Sequence, residues 1–371
     1  MKMYSIGVGL LVALIVAPGC GSDPEPKTKV RIGQNPWAGW AAIDVAKAKG
    51  FFDEEGLDVE VVHVTTDQEE ATLLQGGRID IGIGMIGTWI GYANVGDTEP
   101  LTIVAETDWS YGGDQIITKR TVDTTKLAGK PIAVYLEQPS VSFFLQQYLS
   151  ELPTPLKLSD IKLVELEASA IADEFEKGTY EVTVNYEPDS LRQLSATAGG
   201  ARVKTSRSYP GVIPEGFAVR TSALGKSLSR DTVTKALRGW LKAVDWAYGP
   251  NGNGQTADPA HYEEFKSILR NQTFAESGTP AELTDAEIDG IIRGVHVHPR
   301  ALWTKVNGPS TGAKVGRFDA ADNDVPQPQT DGQPLADFFV EMRDFMNTDT
   351  STPLVEGRIT IDTSLALDAA K

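Results

Sequence analysis

Apolar positions along the chain change their spacing in a regular order. Val30-Arg31-Ile32-Gly33 reads as a short strand. From Ala41 to Lys49 the apolar residues take helical spacing, and Gly50 stands where a helix C-cap would. Leu57 to Val64 alternates as a strand does. Asp67 to Leu74 reads as a helix, Ile79 to Ile83 as a strand, Met85 to Ala93 as a helix and Leu101 to Ala105 as a strand. This βαβαβ order predicts a parallel sheet with covering helices. A second set follows, with strands at 115–118, 131–135, 162–166, 181–185 and 217–220 and helices at 140–150, 171–176 and 191–197. Beyond Asp231 the pattern is mostly helical, over 231–248, 261–269, 285–292 and 334–346. Stretches 249–259 and 307–333 are rich in Gly, Pro and Asn and read as loops.

The start of the chain carries a different pattern. Lys2 is the one basic residue before a 12-residue run of apolar side chains and Gly, Ile6 to Ala17. A bilayer span takes about 20 residues, so this run fits a secretory signal core instead. Ala17-Pro18-Gly19-Cys20 resembles a bacterial lipobox, which implies a signal peptide over 1–19 and lipidation of Cys20. An ordinary cleaved signal with a chance cysteine is the alternative. Residues 20–28 are polar and proline-containing and read as a tether.

Composition narrows the function. A length of 371 residues exceeds what one core usually fills, so two lobes are expected. The net charge of −17, from 34 Lys and Arg against 51 Asp and Glu, argues against nucleic-acid partners, which need clustered cations. A single cysteine excludes an internal disulfide framework and cysteine-built metal sites within one chain.

The segment Ala46-Lys47-Ala48-Lys49-Gly50-Phe51-Phe52-Asp53-Glu54-Glu55-Gly56-Leu57-Asp58-Val59-Glu60 resembles a signature of periplasmic substrate-binding proteins of ABC importers. The branch is the nitrate, sulfonate, taurine and thiamine-precursor group, the THI5-like or NMT1-like group. Leu74 to Gly82 and Leu127 to Val134 resemble it too, in order and spacing. The resemblance implies an α/β fold of periplasmic-binding-protein type II, two doubly wound lobes on a two-strand hinge. Lobe 1 would hold 29–106 and 222–371, and lobe 2 would hold 107–221. The crossovers would fall near Ala105–Gln115 and Phe217–Ser222. It also implies no enzymatic activity, a small-molecule ligand, permease and ATPase subunits as partners, and a monomer held to the membrane by its lipid alone. Within the signature, Phe51 and Phe52 are expected in the core and Asp53-Glu54-Glu55 at a solvated turn.

Ligands of open α/β sheets lie beyond the carboxyl ends of the strands. Four loop groups meet that condition. The first supplies Asn35, Trp37 and Trp40. The second supplies Met85 and Thr88 at a helix start, whose backbone N–H groups suit an anion or carbonyl. The third, at the first crossover, supplies Asp108, Trp109 and Tyr111, an aromatic set flanked by acids that suits a flat ring or a cation. The fourth supplies Gln138, Ser140, Tyr186 and Glu187. Relatives often use small hydroxyl residues at the Ser140 position to grip an anion, but Gln138-Pro139 replaces the usual glycine. Plain hinge, core or capping roles compete with ligand contact at Trp40, Tyr111 and Glu187.

Asp108, Asp114, Glu137 and Glu187 lie in these loops, with no Lys or Arg among them. Acids and aromatics together favour a nitrogen-containing solute of aminopyrimidine, amine or amidine type. A sulfonate, taurine or nitrate anion is the alternative. Another class is a ligand-sensing lipoprotein that reports to a membrane receptor. His296 and His298 sit two apart and would share a strand face, but no third ligand is evident, so no metal is expected. No phosphate loop, nucleophile elbow or Cys–His pair is present, and no cofactor is implied. A fungal pyrimidine synthase shares the implied fold, but it needs a site rich in His and Cys.

Overall fold

A computed structural model describes residues 26–136, 138–250, 252, 258–312, 334–350 and 353–371. The signal segment 1–19, Cys20, most of the tether and Glu137 lie outside the described residues, as does most of the loop assigned to 307–333.

The described strands are β1 (Thr28–Gln34), β2 (Leu57–His63), β3 (Ile81–Met85), β4 (Leu101–Ser110), β5 (Asp114–Lys119), β6 (Pro131–Val134), β7 (Lys162–Glu165), β8 (Val182–Tyr186), β9 (Gly200–Thr205), β10 (Pro214–Arg220), β11 (Val295–Val297) and β12 (Ile359–Ile361). They form two sheets. The first has the order β11-β4-β10-β3-β1-β2, with β12 also paired to β4. The second has the order β7-β6-β8-β5-β9. In the first sheet β1 runs parallel to β2 and β3, while β10 is antiparallel to both β3 and β4. The fold is α/β, with the expected parallel strands along one side of each sheet, β3-β1-β2 in the first and β7-β6-β8 in the second.

Local chemistry accounts for these elements. Helix Ala42–Lys49 ends at Gly50 with φ 76°, a left-handed conformation that a Cβ would strain. Phe52 is buried against the helix Arg230–Ala247, where Gly239 leaves room for its ring. On β3, Gly82 and Gly84 lie under the ring of Trp89, and a Cβ on Gly82 would come within 2.8 Å of it. The Trp89 Nε1–H donates to the Gly216 carbonyl at 3.1 Å, so Trp89 is core.

Several details differ from expectation. Met85 is extended and ends β3, so the next helix begins at Ile86. The chain leaves the first sheet between Ser110 and Asp114 and returns between Thr205 and Pro214, ahead of the Phe217–Ser222 segment assigned to the return. Phe217 lies inside β10, where it pairs with Ile83 and Ala105. The short strands β9, β11 and β12 are additions to the expected set.

The C-terminal part serves both halves. Helix Leu335–Asp349 packs Phe338 and Phe345 on Phe143 of helix Pro139–Ser150, with ring centroids 6.4 and 5.1 Å apart. Lys157 reaches Asp349 at 2.9 Å. The chain then returns to the first sheet, where β12 pairs with β4 and helix Ser364–Ala369 packs on helix Arg230–Ala247.

The two halves also meet through helices Ile86–Ala93 and Pro139–Ser150. Gly87 N–H donates to Ser140 Oγ at 3.0 Å. A Cβ on Gly87 would fall 2.2 Å from that oxygen and 2.3 Å from the Ser140 nitrogen, so the backbones touch there. Gly91 is met by the side chains of Gln138 and Pro139.

Candidate functional site

A cavity of about 280 Å³ opens where the strand ends of both sheets face each other. The loop after β1 supplies Asn35, Pro36, Trp37 and Trp40, the loop after β2 supplies Thr65 and Thr66, and the helix Asp67–Gln75 that follows supplies Asp67 and Gln68. Met85 ends β3, and Tyr92 comes from the helix that follows it. Asp114 starts β5, Tyr135 and Leu136 follow β6, Glu165, Glu167 and Ala168 follow or end β7, and Tyr186 ends β8. Glu215, near the start of β10, completes the lining. All but Tyr92 and the β5 and β10 residues sit at carboxyl ends of parallel strands or just beyond, as the geometry of open sheets requires.

The lining holds five carboxyl groups and no Lys, Arg or His. Asp67 accepts from Asn35 Nδ2 at 3.0 Å, and the protein packed around it pushes its pKa up to about 6. Asp114 accepts from the Tyr135 hydroxyl at 2.6 Å, and burial raises it to about 6 as well. Glu215 is held well above the carboxylate range by burial, then by the charge of Asp108. Burial disfavours the charged form, and neighbouring carboxylates add to that penalty.

The aromatic wall is set by close packing. Trp37 is wedged between Gly39 and Gly113, where a Cβ on Gly113 would come within 2.4 Å of its ring. It meets Tyr186 edge-on with centroids 6.1 Å apart, and Tyr186 meets Tyr135 at 4.7 Å. The indole N–H groups of Trp37 and Trp40 are buried with no hydrogen-bond partner, as is Glu215 Oε2. The carboxyl groups beside this wall can take a group that offers N–H donors.

Of the residues singled out in the sequence, Asn35, Trp37, Trp40, Met85 and Tyr186 line this cavity. The others lie elsewhere. Thr88 is buried within helix Ile86–Ala93. Asp108 sits behind Glu215, its Oδ1 accepting from the Thr107 hydroxyl at 2.6 Å. Trp109 donates to Glu106 Oε1 at 2.5 Å and packs on His296 and His298, with centroids 5.6 and 4.9 Å away. His298 Nε2 lies 3.0 Å from the same carboxyl oxygen. Burial pushes His296 down to about 4 and holds His298 well below the usual imidazole range, so both rings are neutral packing groups. Tyr111 stacks under the Arg207 guanidinium at 5.0 Å. Gln138 packs on Gly91, and Ser140 spends its hydroxyl on Gly87 N–H. That contact occupies the helix N–H to which an anion would be expected to bind. Glu187 accepts from Gln115 Nε2 at 2.8 Å, with Arg202 3.6 Å away, outside the cavity.

Asp67, Tyr92, Tyr135, Glu165, Glu167 and Glu215 were not singled out as ligand positions, while Asp114, counted among the cleft acids, does line the cavity. Most stand at or just past strand ends, so the rule that found Trp37 reaches Asp67, Tyr135, Glu165 and Glu167 once it is applied to every strand. Among the described residues no group of three or more His, Cys, Asp or Glu is arranged to hold a metal ion, and no helix is long and apolar enough to cross a membrane.

Solved structures share this fold at low identity. The alkanesulfonate-binding protein SsuA of Xanthomonas axonopodis pv. citri, bound to MOPS, superposes with a TM-score of 0.59 at 13% identity, covering 91% of this chain and 100% of that one. The periplasmic aliphatic sulphonate-binding protein SsuA of Escherichia coli gives 0.56 at 16% identity, covering 73% and 86%. The periplasmic nitrate-binding protein NrtA of Synechocystis PCC 6803 gives 0.52 at 18% identity, covering 66% of each chain. No curated protein sequence matches the chain. Residues 23–258, well over half of the chain, match the sequence pattern of the NMT1-like family, and the protein belongs to that family.

Proposed function

We propose that the protein is the extracytoplasmic solute-binding component of an ABC importer. It captures a small nitrogen-containing organic solute of aminopyrimidine, amine or amidine type. The family and the fold support the importer role. The observation that carries the ligand class is the cavity lining: five carboxyl groups, two indoles, three phenols and no cation. A protonated amine or amidine gains Coulomb attraction from the carboxylates and cation–π attraction from Trp37, Trp40 or the tyrosines.

In this reading two lobes close on the solute, the ligand stabilises the closed form by bridging them, and a permease recognises that form. Cys20 carries the lipid that tethers an otherwise monomeric chain. A second reading, sulfonate or nitrate capture, is favoured by what the structural relatives bind. The acidic lining and the Ser140–Gly87 contact weigh against it.

Thermal unfolding against a ligand panel tests the proposal. The panel holds aminopyrimidines, thiamine, amidines, guanidines, quaternary amines, taurine, alkanesulfonates and nitrate. Ligand at about 100 times its Kd adds roughly 2.7 kcal/mol, a readable shift. A shift with a nitrogen compound supports the reading. A shift with sulfonates or nitrate alone overturns the ligand class and leaves the importer role.

A further inference from the structure

The floor of the cavity contains a carboxyl pair that salt bridges do not explain. Glu215 on β10 stands directly opposite Asp108 on β4 in the antiparallel register. The register shifts between Glu215 and Gly216, so Thr107 is the extra residue on β4 and the two acids face each other beside a bulge. Asp108 is fully buried and Glu215 is 2% exposed. Asp108 Oδ2 and Glu215 Oε2 are buried and accept from no donor, and the two carboxyl groups lie against each other across the strand pair. Two buried carboxyl groups set against each other with no donor to serve them repel if both ionise, and a proton on one turns the pair into donor and acceptor.

Other groups face the pair from every side. Glu106 lies along β4, Asp114 comes from β5, and Tyr248 closes the helix Arg230–Ala247. Trp37 Nε1 is turned toward Glu215 without completing a hydrogen bond. Gly39 fixes that arrangement, because a Cβ there would lie 2.0 Å from Asp108 Oδ2 and 2.8 Å from Trp37 Nε1. Glu215 alone of the pair reaches the cavity.

We propose that Asp108 and Glu215 share one proton in the empty cavity and that a cationic solute is bound in exchange for it. This rests on the cation reading of the cavity given above. The charge balance favours exchange. Before binding, the pair holds one proton and a charge of −1. Afterwards it is −2 beside a +1 ligand, again −1 in total, with the proton released to water. The buried charge is unchanged, so the site avoids both a doubly ionised bare pair and an added net cation.

Two measurements on the full chain test this. The first is a carboxyl 13C NMR titration without ligand, comparing the wild type with Glu215→Gln and Asp108→Asn. The wild type should keep one more protonated carboxyl group at pH 7 than Glu215→Gln does. Equal numbers overturn the shared proton. Asp108→Asn checks that the loss needs the pair, and thermal unfolding of both variants checks that they fold.

The second is calorimetry with tetramethylammonium and with benzamidinium at pH 7–8, in phosphate and in Tris. Tetramethylammonium carries no proton of its own. This range lies above the titration of Asp67 and Asp114, both near 6, so they contribute little. Wild type should release about one proton per bound cation, with affinity rising about tenfold per pH unit, and Glu215→Gln should release none. Binding without proton release overturns the exchange and leaves the cation reading intact. Binding of neither cation counts against the cation reading and overturns the exchange with it, while the shared proton still stands or falls on the NMR titration.

Discussion

The two halves of the molecule meet over two surfaces made of opposite materials. Behind the cavity, helices Ile86–Ala93, Pro139–Ser150 and Leu335–Asp349 touch through glycines, Phe143, Phe338 and Phe345, and a Ser140–Gly87 hydrogen bond. At the cavity the same halves face each other across carboxyl groups and aromatic rings, with buried indole N–H groups unspent. One surface is satisfied by the protein itself, and in the proposed function the other is completed by a solute. The difference teaches where binding energy can act: only contacts made across the hollow side change when a ligand arrives.

The contrast can be broken from either side. The largest effect is expected at the packed surface. Phe338→Ala should destabilise the chain by about 3–5 kcal/mol, read by chemical denaturation, because Phe338 is 1% exposed and its loss leaves a cavity against Phe143.

Acidity should sharpen the other side. A carboxyl group raised in the folded state stabilises the fold while protonated, and that stability is lost as pH rises through its folded value. Asp67 and Asp114 titrate near 6, so their contribution is present near pH 5 and largely gone at pH 7, and burial raises Asp108 in the same direction. His63, raised by Asp44, acts in the same direction. The lowered His296 and His298 oppose it, losing stability as pH falls below about 6.5. Glu70, Glu106 and Glu215, all raised, tip the balance. The ligand-free chain should gain on the order of 2–3 kcal/mol from pH 7 to pH 5, read as a rise in Tm by calorimetry.

Gly87→Ala is the next largest. Its Cβ would press on the Ser140 backbone, and about 1–3 kcal/mol should be lost in urea unfolding. Trp37→Phe should leave folding nearly intact and weaken an amidine or quaternary amine by roughly 0.5–2 kcal/mol, measured by calorimetric titration. Glu187→Gln should change affinity by less than about 0.5 kcal/mol in the same assay, since Glu187 faces Gln115 rather than the cavity.

The first sheet was largely legible in the sequence, because alternation in β2 and the glycine stops at Gly50 and Gly76-Gly77 are local signals. Trp37 and Asn35 were legible because they follow a strand directly. Glu215 was not, since its place depends on β10 pairing with Met85 on one side and Asp108 on the other, a long-range register no local pattern states. Ser140 shows the converse. Its residue type and helix-start position suit an anion, but whether the hydroxyl is free depends on Gly87, far away in the chain. Helix Leu335–Asp349 was readable as a helix, yet its partner was not, because an amphipathic pattern names a buried face and not what covers it.

That helix has a consequence for the order of assembly. Helix Pro139–Ser150 offers Phe143 early in the chain, and the rings that cover it come from residues near the other end. As the polypeptide is made from its N-terminus, the middle of the molecule must wait with an apolar face uncovered until the last segment is delivered. The same segment then doubles back to place β12 beside β4. Completion of both cores is therefore a single late event, and a nascent chain halted before residue 335 should stay protease-sensitive across both halves.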